Sequence, residues 1–204
     1  MVNSSTTNRG SPGSSAGAEP TVPEVLVDQH RRLRELLAEV RATEGGERAR
    51  SFEHLRRLLA AHETAEEVVV RPVSKQIMDR DAVAQRNHEE RRIVQLLAVL
   101  EKLEVDGSEF QELFHAFAED LENHMDLEER TEFPVLVAEL GEPDRIAMAR
   151  WVGRALAMGP THAHPGAVGS PMIERAVTPF HAFADHARDA RRRARQHLTD
   201  RSPD

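Results

Sequence analysis

Two stretches of this chain repeat one pattern. His62-Glu63-Thr64-Ala65-Glu66-Glu67 and His124-Met125-Asp126-Leu127-Glu128-Glu129 both read H-x-x-x-E-E, and a proline stands ten residues after each histidine, at Pro72 and Pro134. A lone histidine lies upstream of each copy, His30 and His88. On a helix, residues i and i+4 lie about 40° apart and one turn along the same face. His62 with Glu66, and His124 with Glu128, can therefore aim at one place. Both pairs fall within the apolar stripe of their segment, where an ionised carboxylate is costly unless it is paired or bound to a metal. With no cysteine in the chain, imidazole plus carboxylate suits iron, manganese or zinc. The bland alternative is a set of core histidines, each bonded to a neighbouring glutamate. The donors are too many for one ion, so the set reads as a two-metal site.

The elements that would carry these residues are helices. From Val22 onward the apolar residues recur at three- and four-residue steps. Helix A, about 22–43, places Leu26, His30, Leu33, Leu37 and Val40 on one stripe; a Gly45-Gly46 break follows. Helix B, about 47–78, carries Phe52, Leu55, Leu59, His62, Glu66 and Val69. Helix C, about 82–105, offers Leu96, Leu100 and Leu103 with His88 at the edge of the row, and Asp106-Gly107 makes a turn. Helix D, about 108–139, strings Phe110, Phe114, Phe117, Leu121, His124 and Glu128 along one face. No alternating strand pattern is evident. The expected fold is all-α: an up-down-up-down four-helix bundle with additional C-terminal helices.

Counting from the two hairpin turns tests whether the four histidines share a level. His30 is 15 residues before Gly45 and His62 is 16 after Gly46; His88 is 18 before Asp106 and His124 is 17 after Gly107. At about 1.5 Å per residue, all four lie roughly 22–27 Å from one end of the bundle. Two independent hairpins thus deliver His30, His62, His88 and His124 to a common layer.

Composition narrows the rest. The 204 residues suffice for one sizeable core. Residues 1–20 are rich in Ser, Gly, Thr and Asn and read as a disordered tail, 21–140 as the bundle, and 141–204 as a helical extension. That extension contains a helix at about 143–158 with Trp151 and one at about 171–198 ending in a basic run, both expected to pack outside the bundle. A formal charge of −8 with 4% aromatics argues against nucleic acid as a partner. No apolar run approaches a membrane span, and the N-terminal stretch has no secretory h-region, so the expected location is cytoplasmic. Thiol catalysis and iron–sulfur clusters are excluded with cysteine, and no P-loop, dinucleotide fingerprint or Ser/His/Asp arrangement is evident.

The pattern resembles the hemerythrin-like, or HHE cation-binding, family: His on the first helix, H-x-x-x-E-E…P on the second, His on the third and H-x-x-x-E-E…P on the fourth, over about residues 22–138. The resemblance implies a non-haem centre of two iron ions, oxo- or hydroxo-bridged, in the bundle core. By position, His30, His62, His88 and His124 would be the terminal imidazoles, and Glu66 and Glu128 the bridging carboxylates. The chain departs from the oxygen-carrying members in two respects. Arg92 stands where they have a second histidine on the third helix, and Glu128 follows its histidine by four residues where they have an Asp at five. Glu63 is the candidate for the vacant place; it resembles the H-E-x-x-E arrangement of the iron-sensing hemerythrin domain of a eukaryotic ubiquitin-ligase subunit. Its alternative is a solvated surface charge, since i+1 turns about 100° away. Glu67 and Glu129 are expected to face water or pair with arginines.

The expected function is binding or sensing of O2, peroxide or NO, or of iron itself; the alternative is a di-iron enzyme that decomposes peroxide or reduces NO. His54 and His115 lie two or more turns from the layer and are expected as surface or boundary residues. His162 and His164 flank an exposed-looking loop and His181 and His186 lie on the last helix, with a surface metal as their less expected role.

Overall fold

The computed structural model describes residues 18–158, and these contain helices and no strand. The expected loop at 159–166, the helix at 171–198, and His162, His164, His181 and His186 lie outside the described residues, as does most of the N-terminal tail. The described part runs α1 (Val22–Ala42), α2 (Gly45–Ala65), a π segment (Glu66–Val70), α3 (Arg71–Ile77), α4 (Arg80–Leu100), α5 (Ser108–Leu127), a second π segment (Glu128–Glu132), α6 (Phe133–Glu139) and α7 (Glu142–Met158). The segments 45–77 and 108–139 are each one continuous rod with a π turn inside.

Local signals explain the ends. The Thr21 backbone N–H donates to Glu24 in a capping box, and Pro23 sits in the first turn of α1, where its missing N–H costs nothing. Gly45, at φ +58°, makes the tight α1–α2 turn, and Asp106 from the other hairpin accepts its N–H. Asp79 caps α4 by accepting the Asp81 N–H.

Both π segments begin on a site glutamate and lead into a proline, Pro72 or Pro134. Proline removes a helix donor and its ring crowds the carbonyl four residues back. A turn closed over five residues relieves that conflict. Accordingly the Arg71 N–H reaches the Glu66 carbonyl and the Phe133 N–H reaches the Glu128 carbonyl.

Two apolar clusters flank the histidine layer. One holds Leu33, Leu37, Leu55, Leu59, Ile93, Leu97, Phe117 and Leu121 among others. The second holds Val22, Leu26, Val69, Val73, Phe133 and Leu136, and also Met148, Ala149 and Val152 of α7. Here the structure differs from the expectation that this helix packs outside. Helix α7 lies against α1, α2 and the first π segment and closes that end of the core. The short α6–α7 turn brings its apolar row back onto the bundle.

Candidate metal centre

Three imidazoles and four carboxylates converge between the two clusters. His30 of α1, His62 of α2, Glu66 and Glu128 offer donor atoms that all lie within 4.8 Å of one another, and all four residues are buried. A second group, Glu63, Glu66, Glu90 and His124, meets the same distance. Glu66 belongs to both. Glu128 spans them too: its Oε2 is 3.5 Å from His30 Nε2 and its Oε1 is 3.3 Å from His124 Nε2. The two groups are one continuous donor set with two positions.

Each imidazole turns its Nε2 inward and its Nδ1 toward a neighbouring helix. His62 Nδ1 lies 2.8 Å from Gln29 Oε1, and His30 Nδ1 lies 2.9 Å from Glu129 Oε1. Glu129 is in turn held by Arg34, so it does pair with an arginine as expected, and with His30 as well. His124 Nδ1 faces Glu89 Oε2 at 3.5 Å, and Glu89 is held by Arg86. The side-chain oxygens of Gln29 and Glu129 accept only an Nδ1–H, which leaves the Nε2 lone pairs of His62 and His30 free for a cation.

The inward-facing atoms need such a cation. His30 Nε2, His62 Nε2, His124 Nε2, Glu63 Oε1, both oxygens of Glu66 and Glu128 Oε2 are buried without a hydrogen-bond partner among the described residues. Each buried polar group left so costs about 1–3 kcal/mol, and one ion at each position would satisfy several at once. The donor set of nitrogen and oxygen without sulfur fits iron, manganese or zinc.

The electrostatics of the metal-free centre point the same way. Burial, with repulsion from Glu128 and Glu63 added, holds the Glu66 carboxyl well above the usual carboxylate range. Burial pushes Glu128 up to about 7, although His124 works against the rise. Burial pushes His62 well below its ordinary value, and also lowers His30, where Glu66 and Glu129 offset part of the effect. Burial opposes the charge on His124 as well, but Glu128, Glu89, Glu63 and Glu66 outweigh it and raise the ring to about 9. Buried carboxylates with few local cations form a negative hole that divalent ions would fill.

The family profile described as hemerythrin HHE cation binding domain matches residues 21–136. The chain belongs to the hemerythrin HHE cation-binding domain family. A hemerythrin-like protein of Schizosaccharomyces pombe is 30% identical over 134 residues, covering 64% of this chain and 66% of its own length. This chain therefore matches just under two thirds of that relative. A hemerythrin HHE cation-binding domain-containing protein from Mycobacterium kansasii has a crystal structure that matches with a TM-score of 0.61 at 20% identity, covering 68% of this chain and 86% of that one. That likeness supports the all-α bundle fold. Membership of a cation-binding family implies metal, typically iron, for this hemerythrin-like chain.

The hemerythrin-like pattern read from sequence and the placed residues differ on the third helix. His88 is exposed and outside both donor groups. Glu90 is there instead. The reason is phase: Leu96 and Leu97 are adjacent apolar residues, so the apolar row can be read one residue either way. In the fold the inward row of α4 is Val83, Arg86, Glu90, Ile93, Leu97 and Leu100, with Leu96 only half-buried. Two residues of helix turn about 200°, which sends His88 to solvent as Glu90 comes in. Counting from the turns fixes height and says nothing of azimuth. Arg92, in the position of the missing histidine, pairs at the surface with Asp120. His54 and His115 are exposed.

Arg71, Glu132 and Ser74 were also missed. Arg71 is fully buried, contacts Glu90 and lies 3.6 Å from Glu132, whose other oxygen accepts the Ser74 hydroxyl at 2.5 Å. At α-helical steps Arg71 would sit about 140° from Glu66; the π turn brings it round to the site. The proline at the tenth position was the sequence signal that could have revealed this.

Proposed function

We propose that this hemerythrin-like chain holds two non-haem iron ions in its core, linked by Glu66, Glu128 and an oxo or hydroxo bridge, and binds or senses O2, peroxide or NO there. The observation that carries the reading is the pair of donor groups sharing Glu66, with seven inward-facing donor atoms that lack hydrogen-bond partners among the described residues. Iron so held supplies redox chemistry and a Lewis-acidic position for a small ligand. The chain's part is to orient the imidazoles through Gln29, Glu129 and Glu89, and to keep bulk water out with Leu33, Leu59, Phe117 and Leu121. The chain has no tyrosine, so no phenol serves as a proton donor beside the centre. Metal that stabilises the fold would couple occupancy to structure, as sensing requires.

A second reading, a di-iron enzyme that decomposes peroxide or reduces NO, gains support from Glu90. With a carboxylate where an imidazole was expected, four glutamates stand against three histidines. Anionic oxygen donors favour the higher iron charge and suit redox turnover more than reversible carriage.

Metal analysis with visible spectroscopy on the wild type and on His124→Ala tests the shared claim. The expected result is two irons per chain and a ferric charge-transfer band that the variant loses; an unchanged band contradicts the assignment. A dioxygen spectrum reversed under vacuum supports binding or sensing. Sustained O2 evolution from added peroxide supports the enzyme. Iron content well below one per chain after anaerobic preparation sinks both.

A further inference from the structure

We infer that the two metal positions are unequal, and that Arg71 is the positioning residue on which the second depends. The inference rests on the metal-binding reading above. The first position is built from His30, His62, Glu66 and Glu128, all fully buried and none on α4. The second shares Glu66 with it, adds His124, and takes Glu63 and Glu90, which are only partly buried. A part-exposed glutamate has several rotamers and a solvated alternative, so recruiting it as a ligand costs entropy and competes with water.

Glu90 is the sole donor from α4 among these groups. What holds it inward is Arg71, reaching across from α3. The guanidinium is buried and lies 3.6 Å from Glu132, which the Ser74 hydroxyl holds. A chain of side-chain contacts, Ser74 to Glu132 to Arg71 to Glu90, thus ends on a donor of the second position; the first position feels Arg71 only through its charge. A planar guanidinium that occupies one oxygen of Glu90 leaves the second oxygen for the metal. The neighbouring carboxylates Glu132, Glu66, Glu128 and Glu63 keep Arg71 charged despite its burial.

The internal repeat supports a position-specific role. With His62 aligned on His124, Arg71 aligns with Phe133 and Val70 with Glu132. Phe133 stacks on His30, at 5.5 Å between ring centroids, beside the first position. The equivalent place beside the second position holds the ion-pair network. The two copies therefore use the same π-turn geometry for different purposes, an apolar support for an imidazole and a charged one for a carboxylate.

The test is equilibrium titration of the full-length, metal-stripped protein with Co(II), which reports bound ions per chain and their visible absorption. The wild type is expected to bind two ions in separate steps. Arg71→Met/Glu132→Gln removes both charges together, so Glu132 is not left as a buried carboxylate without its cation while Glu90 loses its partner, and the amide oxygen introduced by the second substitution still accepts from Ser74. This variant is expected to keep the first step within about 2-fold and to weaken the second by about 10- to 100-fold, the usual effect of losing a ligand-orienting partner. Arg71→Lys keeps the charge but lacks the fork, and a smaller loss confined to the second step is expected; it decides the matter if the double variant does not fold. Equal weakening of both steps, an unchanged second step, or a single wild-type step for both ions overturns the inference. A wild type that binds well under one Co(II) per chain overturns the metal reading itself.

Discussion

Gln29 of α1 holds His62 of α2 through a 2.8 Å contact between its Oε1 and the ring Nδ1, with both side chains buried. His30 and His124 face carboxylates instead. One imidazole of the centre is thus oriented by a neutral amide, which fixes its tautomer without adding charge. Gln29→Leu should free the His62 ring to flip and weaken metal at the first position by about 10- to 100-fold. Competition with a chromophoric chelator measures this, and affinity equal to wild type would remove Gln29 from the centre.

The third-helix assignment separates Glu90 from His88. His88→Ala should leave metal content and affinity unchanged, because the side chain is exposed and outside the donor groups. Glu90→Ala should lower the content from two ions toward one. Metal analysis of the two purified variants reads the difference directly; loss of metal in His88→Ala would restore the histidine as the ligand.

Metal affinity should rise with pH, and loading should release protons. His124, raised to about 9, must give up its proton to ligate, as must Glu128, raised to about 7. The stability of the metal-free form should move oppositely. Glu66 and Glu128 keep protons in the folded state that the unfolded chain has released above about pH 4.5, so their contribution falls as pH rises through the folded values. His124 adds a loss as pH rises from its unfolded 6.5 through about 9. His62, held neutral by burial, opposes them only on the acid side: below about 6.5 the unfolded chain takes up a proton there that the fold does not, and stability falls as pH falls. The gap in Tm between loaded and metal-free protein should therefore widen from pH 6 to pH 8.5, and calorimetry in two buffers of different ionisation heat should detect the released protons. A gap that narrows over that range would contradict these protonation states.

Helix α7 should behave as part of the core. Met148 is fully buried against the cluster that includes Leu26 and Phe133, so Met148→Ala should destabilise the chain by about 2–5 kcal/mol. Urea unfolding measures it; a change below about 0.5 kcal/mol, as for a surface residue, would mean that α7 is an appendage.

The sequence alone determined the helical class, the duplicated H-x-x-x-E-E frame and the level at which its donors meet. Those follow from local periodicity and a fixed rise per residue, which no tertiary contact can alter. His30, His62, Glu66, His124 and Glu128 were legible because each lies in an apolar row with one phase. Glu63 was legible only as a candidate, since an i+1 side chain reaches the centre only where the packing turns it there. The inward face of α4 was decided by packing alone: its apolar residues allow two phases, and contact with α5 and α3 selects the one that buries Ile93 and Leu97 and brings Glu90 in place of His88. Arg71 and Glu132 were likewise beyond a 3.6-residue reading, because the π turns before Pro72 and Pro134 change the helical phase midway along each rod. Height in a bundle is written in the chain as a count; azimuth is settled only when neighbouring helices choose which side of each rod to bury.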